Sequence, residues 1–124
     1  TLEDFSGLAY GCHAFSQSDD YSGHSMTNPT VPDVYKKEKK AAILIKRHSI
    51  VGACSIILPG VVLEEGTSVG AMSMVTKSTE PWAIYFGIPA QRIKARSRDL
   101  LLLENDYLNK MENAKNEIGP GLAP

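Results

Sequence analysis

The sequence predicts an all-β fold: a parallel β-helix of stacked three-sided coils, with a loop excursion and a C-terminal α-helix. Three observations carry this. Residues 45–80 divide into six blocks of six, IKRHSI, VGACSI, ILPGVV, LEEGTS, VGAMSM and VTKSTE, headed by Ile45, Val51, Ile57, Leu63, Val69 and Val75. The fifth positions, Ser49, Ser55, Val61, Thr67, Ser73 and Thr79, are all small or β-branched. The same frame recurs upstream, where LEDFSG, LAYGCH and AFSQSD begin with Leu2, Leu8 and Ala14.

Leu, Ile and Val fill 27 of 124 positions, so six aliphatic heads in succession have a chance probability on the order of 10⁻⁴. A period of six is neither the 3.6 of a helical face nor the two of an alternating strand. It suits a chain that turns a corner every six residues, with the head pointing inward and a small fifth residue where the chain bends. Three sides close a coil, and stability comes from stacking coil on coil. Gly52, Gly60, Gly66 and Gly70 supply turn-tolerant positions near the corners.

In chain order, the three upstream hexads make one coil. An excursion over residues 20–44 follows, and then two further coils. Because the chain opens in mid-pattern at Thr1, it is expected to be the C-terminal part of a longer protein, or a processed one. Residues 80–96 break the hexad with Pro81 and Pro89 and add Trp82, Tyr85 and Phe86. They read as an irregular, partly extended loop over the solenoid end, completing a domain of residues 1–96. Residues 97–118 read as a helix, with Ser97 as N-cap and Asp99 in the first turn. Leu100, Leu101, Leu103, Leu108 and Met111 form its expected buried stripe, against the solenoid or a neighbouring subunit. Gly119 and Pro120 end it, and residues 119–124 read as an unstructured tail.

Composition narrows the function. Thirteen basic and fourteen acidic residues leave a net charge of −1, which gives no electrostatic case for nucleic acid or anionic membranes. No apolar run approaches the roughly 20 residues of a membrane span. Cys12 and Cys54 lack CxxC spacing and read as reduced thiols of a cytoplasmic protein.

With the hexads, the excursion and two further motifs in hand, the chain resembles the hexapeptide-repeat acyltransferases. Within them it is similar to the galactoside/maltose and lipopolysaccharide-sugar O-acetyltransferases. The motifs are VGAMSMVTKS at 69–78 and GIPAQRIK at 87–94, and the resemblance spans residues 2–93. It implies a left-handed β-helix, a homotrimer with active sites between subunits, and acetyl-CoA as co-substrate. The expected activity is O-acetylation of a sugar hydroxyl in surface-polysaccharide or nucleotide-sugar metabolism, with N-acetylation of an amino sugar as the alternative.

Such a transfer needs a base near neutral pH and donors for the developing oxyanion, but no covalent intermediate. His24, in the Gly-His of the excursion, is the candidate base by similarity to the family's Gly-His and by the fit of imidazole to the task. Asp20 and Asp19 are alternatives as base, orienting partner or acceptor ligand. Tyr21, Asn28 and Thr30 offer an aromatic face and hydrogen bonds to a sugar. The resemblance places the pantetheine arm at Ala53 and Ala71, and the cofactor phosphates at Thr76, Lys77, Gln91 and Lys94, with Arg92 as a substitute for Gln91. Trp82 is expected to pack beneath its loop, and KKEKK at 36–40 to be a solvated hinge. His13 and His48, at the sixth and fourth hexad positions, are expected to face outward. Two readings of other classes are a non-catalytic β-helix scaffold and a zinc hydratase using the three histidines. The different hexad positions of His13 and His48, and the loop setting of His24, argue against the zinc site.

Overall fold

The computed structural model describes residues 1–118; the expected tail and the helix stop at Gly119 and Pro120 lie outside them. Ten two-residue strands follow the hexad frame and the excursion. They are β1 Gly7–Leu8, β2 His13–Ala14, β3 Gln17–Ser18, β4 Lys39–Lys40, β5 Leu44–Ile45, β6 Ile50–Val51, β7 Ile56–Ile57, β8 Val62–Leu63, β9 Ser68–Val69 and β10 Met74–Val75. Then come β11 Ala83–Gly87, β12 Ala90–Ala95 and the α-helix α1 Leu100–Ile118, while a short 3-10 turn, Asp33–Tyr35, lies within the excursion.

The short strands stack in three parallel ladders. One runs β1, β6, β9, β11, another β2, β7, β10, and the third β5, β8 with a bridge from Leu2 to Ile45. Ile50 pairs with Ser68 and Ile56 with Met74, so partners in successive coils are 18 residues, or three hexads, apart. Gly7 pairs with Ile50, 43 residues on. One coil accounts for 18 of those residues and leaves 25 for the excursion, the length of 20–44.

All six heads from Ile45 to Val75 are at most 2 % exposed and form the core with Ile43 and Val61. The fifth positions correct one expectation, for they are buried inside the coil rather than placed at its bends. A small side chain is needed there because it shares the narrow interior with the heads. Where the residue carries a hydroxyl, that group binds backbone of the next coil: Ser49 donates to the Glu64 carbonyl at 2.9 Å and Ser55 to that of Gly70 at 3.1 Å. The bends sit one residue earlier. Phe5, Gly11, His48, Cys54, Gly60, Gly66 and Met72 all have φ between 57° and 79°, and each is the fourth residue of its hexad. Stacking contributes the rest, as where the Met72 N–H donates to the Ala53 carbonyl one coil below at 2.9 Å. Gly52 is required by this stacking, since a Cβ there would lie 2.5 Å from the Ala71 nitrogen. The heads of the first coil, Leu2 and Leu8, are 55 % and 37 % exposed among the described residues.

Three further elements differ from expectation. KKEKK is no hinge: β4 within it pairs antiparallel with β3, Gln17 opposite Lys40, and the two strands form the stem of the excursion. Residues 83–95 form a hairpin rather than an irregular loop. β11 extends the ladder of β9 in parallel, and β12 returns antiparallel along it, because polar β12 can face solvent at the sheet edge. The α1 stripe is buried only at its start, with Leu100 and Leu101 half-buried. Leu103, Leu108 and Met111 are exposed, since the helix leaves the solenoid after its first turns.

Candidate active site

The excursion builds a cleft of about 640 Å³ lined by Asp19, Asp20, Tyr21, Ser22, His24, Lys37, Glu38 and Lys39. Four expected site residues therefore meet: His24, Asp20, Asp19 and Tyr21. The β3–β4 stem brings them opposite residues 37–39 of the returning strand.

Within the cleft the two aspartates differ. Asp20 Oδ1 accepts the Ser22 N–H at 2.9 Å, and Oδ2 accepts the Ser25 hydroxyl at 2.7 Å. These bonds, from Ser22 first and then Ser25, favour the ionised form and lower its pKa to about 2. A carboxylate held so far below neutrality is a poor base and a good loop anchor. The Asp19 carboxylate has no hydrogen bond or ion pair among the described residues. His24 is exposed, and its backbone N–H donates to Ser22 Oγ at 3.2 Å.

Asn28 is not brought in. Its Oδ1 accepts both the Thr30 N–H at 3.0 Å and the Thr30 hydroxyl at 2.9 Å, closing a local turn with φ of 100° at Asn28.

A second, apolar groove of about 660 Å³ shares Asp19 and Tyr21 with the first. Phe15, Ile56, Leu58 and Met74 line it, mostly from the outer face of the β2–β7–β10 ladder. The two meet at Asp19 and Tyr21, and Gln17 and Ser18 also line the second. Phe15 and Met74 carried no functional signal in the sequence, because outward residues of a hexad are distinguished only once coils are stacked.

The expected cofactor residues lie along the outside of the solenoid and line neither cleft. Ala53 and Ala71 precede stacked corners, with Ala53 half-buried and Ala71 exposed. Thr76 and Lys77 are exposed just beyond β10, with Thr76 one coil above Leu58. Gln91 and Lys94 are exposed on β12, opposite Phe86 and Ile84.

The largest departure concerns His48. Expected outward, it is 7 % exposed. Its left-handed backbone, with φ of 61°, turns the ring under the first turns of α1. The ring stacks on Phe5 at 5.1 Å and stands 6.1 Å from Trp82, which is buried as expected. His48 Nε2 lies 2.6 Å from Glu104 Oε2, and Arg47 pairs with the other oxygen of that carboxylate. Because the Glu104 carboxylate can only accept, Nε2 carries the hydrogen of that bond, and burial, followed by the Arg47 charge, holds the imidazole below its ordinary pKa. Arg96 adds bonds to the His48 and Gly66 carbonyls at 2.7 and 3.0 Å. His13 is exposed on β2, as expected. The three histidines thus stand on separate elements, and among the described residues no cluster of three ligating groups occurs. No described helix is long and apolar enough to cross a membrane, and both cysteines are free.

No protein-family model matches the sequence. Individual proteins do. A dTDP-4-amino-4,6-dideoxy-D-glucose acyltransferase of Escherichia coli is 38% identical over 107 residues, covering 86% of this chain and 56% of that protein. The crystal structure of AntD, an N-acyltransferase from Bacillus cereus in complex with dTDP and 3-hydroxybutyryl-CoA, superposes with a TM-score of 0.86 at 43% identity. It covers 90% of this chain and 59% of that one. A galactoside acetyltransferase in complex with coenzyme A shares the fold at 20% identity and a TM-score of 0.66, covering 77% of this chain and 44% of that one. The hexads, the three-ladder solenoid and these likenesses define the class: the chain belongs to the hexapeptide-repeat acyltransferases. Among particular members it is similar to the dTDP-amino-sugar acyltransferase and to AntD. The chain spans somewhat over half the length of these two relatives.

Proposed function

We propose that this chain is the catalytic part of an acyl-CoA-dependent N-acyltransferase acting on an amino sugar linked to a nucleoside diphosphate. Its coils would be left-handed, and it would work in the cytoplasm as a homotrimer. The observation that carries the reading is the match to AntD over 90% of the chain at a TM-score of 0.86. The expected sugar hydroxyl gives way to an amine because the relatives matched over most of the chain act, by name, on amino sugars or as N-acyltransferases.

In this reading the sugar amine attacks the thioester carbonyl and forms a carbon–nitrogen bond. His24 takes the proton released by the amine. The tetrahedral intermediate collapses, the carbon–sulfur bond breaks, and CoA leaves as its thiol after proton return. Backbone N–H groups at the coil edge hold the oxyanion. Asp20 anchors the loop that carries His24, and Tyr21 faces the sugar. Ala53 and Ala71 flank the pantetheine arm, while Thr76, Lys77, Gln91 and Lys94 meet the cofactor's phosphates. Asn28 serves the loop rather than the sugar.

The test is direct. The purified chain is mixed with acetyl-CoA or 3-hydroxybutyryl-CoA and dTDP-4-amino-4,6-dideoxyglucose, and thiol release is followed together with product mass. An acylated product that survives mild alkali is an amide and supports the reading. An alkali-labile product would be an ester and restore O-acylation, and absence of both thiol release and acyl-CoA binding overturns the proposal.

A further inference from the structure

The basic run at 36–40 has no role in the reaction so far described, yet its lysines are not equivalent. Lys36 Nζ lies 3.4 Å from both Asp33 and Glu38, and Lys40 lies 3.9 Å from Glu38. Gln17 also donates to Glu38, at 2.5 Å. The charge of Glu38 is thus consumed within the stem. Lys37 and Lys39 have no carboxylate within 4 Å among the described residues, and both are exposed and line the cleft. The chain is extended as it leaves Lys36, with φ of −113° and ψ of 152°. Glu38 also lines the cleft, but its carboxylate is held by Lys36 and Lys40. Across the same cleft stands Asp19, whose carboxylate is likewise unpaired, whereas that of Asp20 is taken by Ser22 and Ser25.

The cleft therefore holds two unspent cations and one unspent anion. We infer that Lys37 and Lys39 recognise the diphosphate of the acceptor and Asp19 its amino group, so that the cleft selects a zwitterionic, nucleotide-linked amino sugar. Ammonium groups make charge-assisted bonds to phosphate oxygens, and a carboxylate does the same to a sugar ammonium. The stem places both ends on the loop that carries His24: the bound ammonium first gives one proton to solvent, and the free amine then attacks with His24 close by to take the second. This inference rests on the proposed function and names which residues of its site choose the acceptor.

The experiment uses dTDP itself, so that binding is read apart from turnover. Calorimetric titration of the full chain gives its Kd, with inorganic pyrophosphate as the probe for phosphate recognition without the nucleoside. The double variant Lys37→Met/Lys39→Met should weaken dTDP about tenfold or more. Lys110→Met/Lys115→Met, the same charge change on α1, should leave it unaltered. Asp19→Asn should keep the dTDP affinity and lose the preference for dTDP-4-amino-4,6-dideoxyglucose over dTDP-glucose. Failure of the native chain to bind dTDP, or equal weakening by both lysine pairs, overturns the inference. If the native chain acylates the amino sugar while Lys37→Met/Lys39→Met binds dTDP normally, the inference falls and the transferase reading stands. If dTDP binds through these lysines but no acyl transfer occurs, the transferase reading falls instead.

Discussion

The imidazole of His48 and the carboxylate of Glu104 meet at 2.6 Å although 56 residues separate them in the chain. One belongs to a corner of the second coil, the other to the second turn of α1. Both side chains are nearly buried, at 8 % and 10 % exposure. Their bond, with Arg47 on the other carboxylate oxygen, is what ties the helix to the solenoid.

Removing Glu104 should loosen that attachment. Glu104→Ala leaves the buried Nε2–H of His48 without an acceptor, which costs about 1–3 kcal/mol. Urea unfolding of the single variants Glu104→Ala and His48→Phe and of the double variant measures the coupling. Strictly additive losses would show that the pair does not interact energetically.

The same histidine makes stability depend on pH. Its folded pKa lies below the ordinary value because of burial and Arg47. The unfolded chain thus binds a proton near pH 6.5 that the folded chain refuses. This contribution is fully present above about pH 6.5 and declines as pH falls through the folded value. Midpoints of thermal unfolding between pH 5 and 8 should drop more steeply on the acid side for the native chain than for His48→Phe, which keeps a ring in the stack. Identical slopes would remove His48 as the cause.

Catalysis should show a different pH signature. Asp20 stays ionised down to about pH 2, so an acid limb in kcat/KM well above that pH belongs to another group. Asp20→Asn should slow turnover by releasing Ser22 and Ser25, yet leave that limb where it is. His24→Ala should abolish the limb and lower kcat by roughly 10²–10⁴-fold, the scale of general base catalysis. A limb that survives His24→Ala excludes His24 as the base.

Coil stacking can be probed at two glycines. Gly52→Ala forces a Cβ to within 2.5 Å of backbone at Ala71 and should cost about 1–3 kcal/mol or more. Gly7→Ala meets nothing within 4 Å and should be neutral or gain up to about 1 kcal/mol from the stiffer unfolded chain. Equal shifts in Tm for the two would mean that the coils are not packed as described.

The repeat was legible because a solenoid writes its geometry into local sequence. Each coil corner imposes the same steric demand every six residues, so buried heads such as Ile57 and Leu63 and small partners such as Ser55 and Thr67 recur in register. The presence of Asp20, Tyr21 and His24 on one excursion, with Asp19 just before it, followed from that frame. Contacts between parts with no shared period were not legible. Nothing near His48 in the chain announces Glu104, Phe5 or Trp82, and its left-handed backbone, which turns the ring inward, is set by the stacked corner. Nor could KKEKK reveal which lysines are spent, because Lys36 and Lys40 find Glu38 only when β4 lies against β3. Local sterics repeat and can be read in one dimension, whereas charge pairing and burial depend on distances that exist only after the chain has closed on itself.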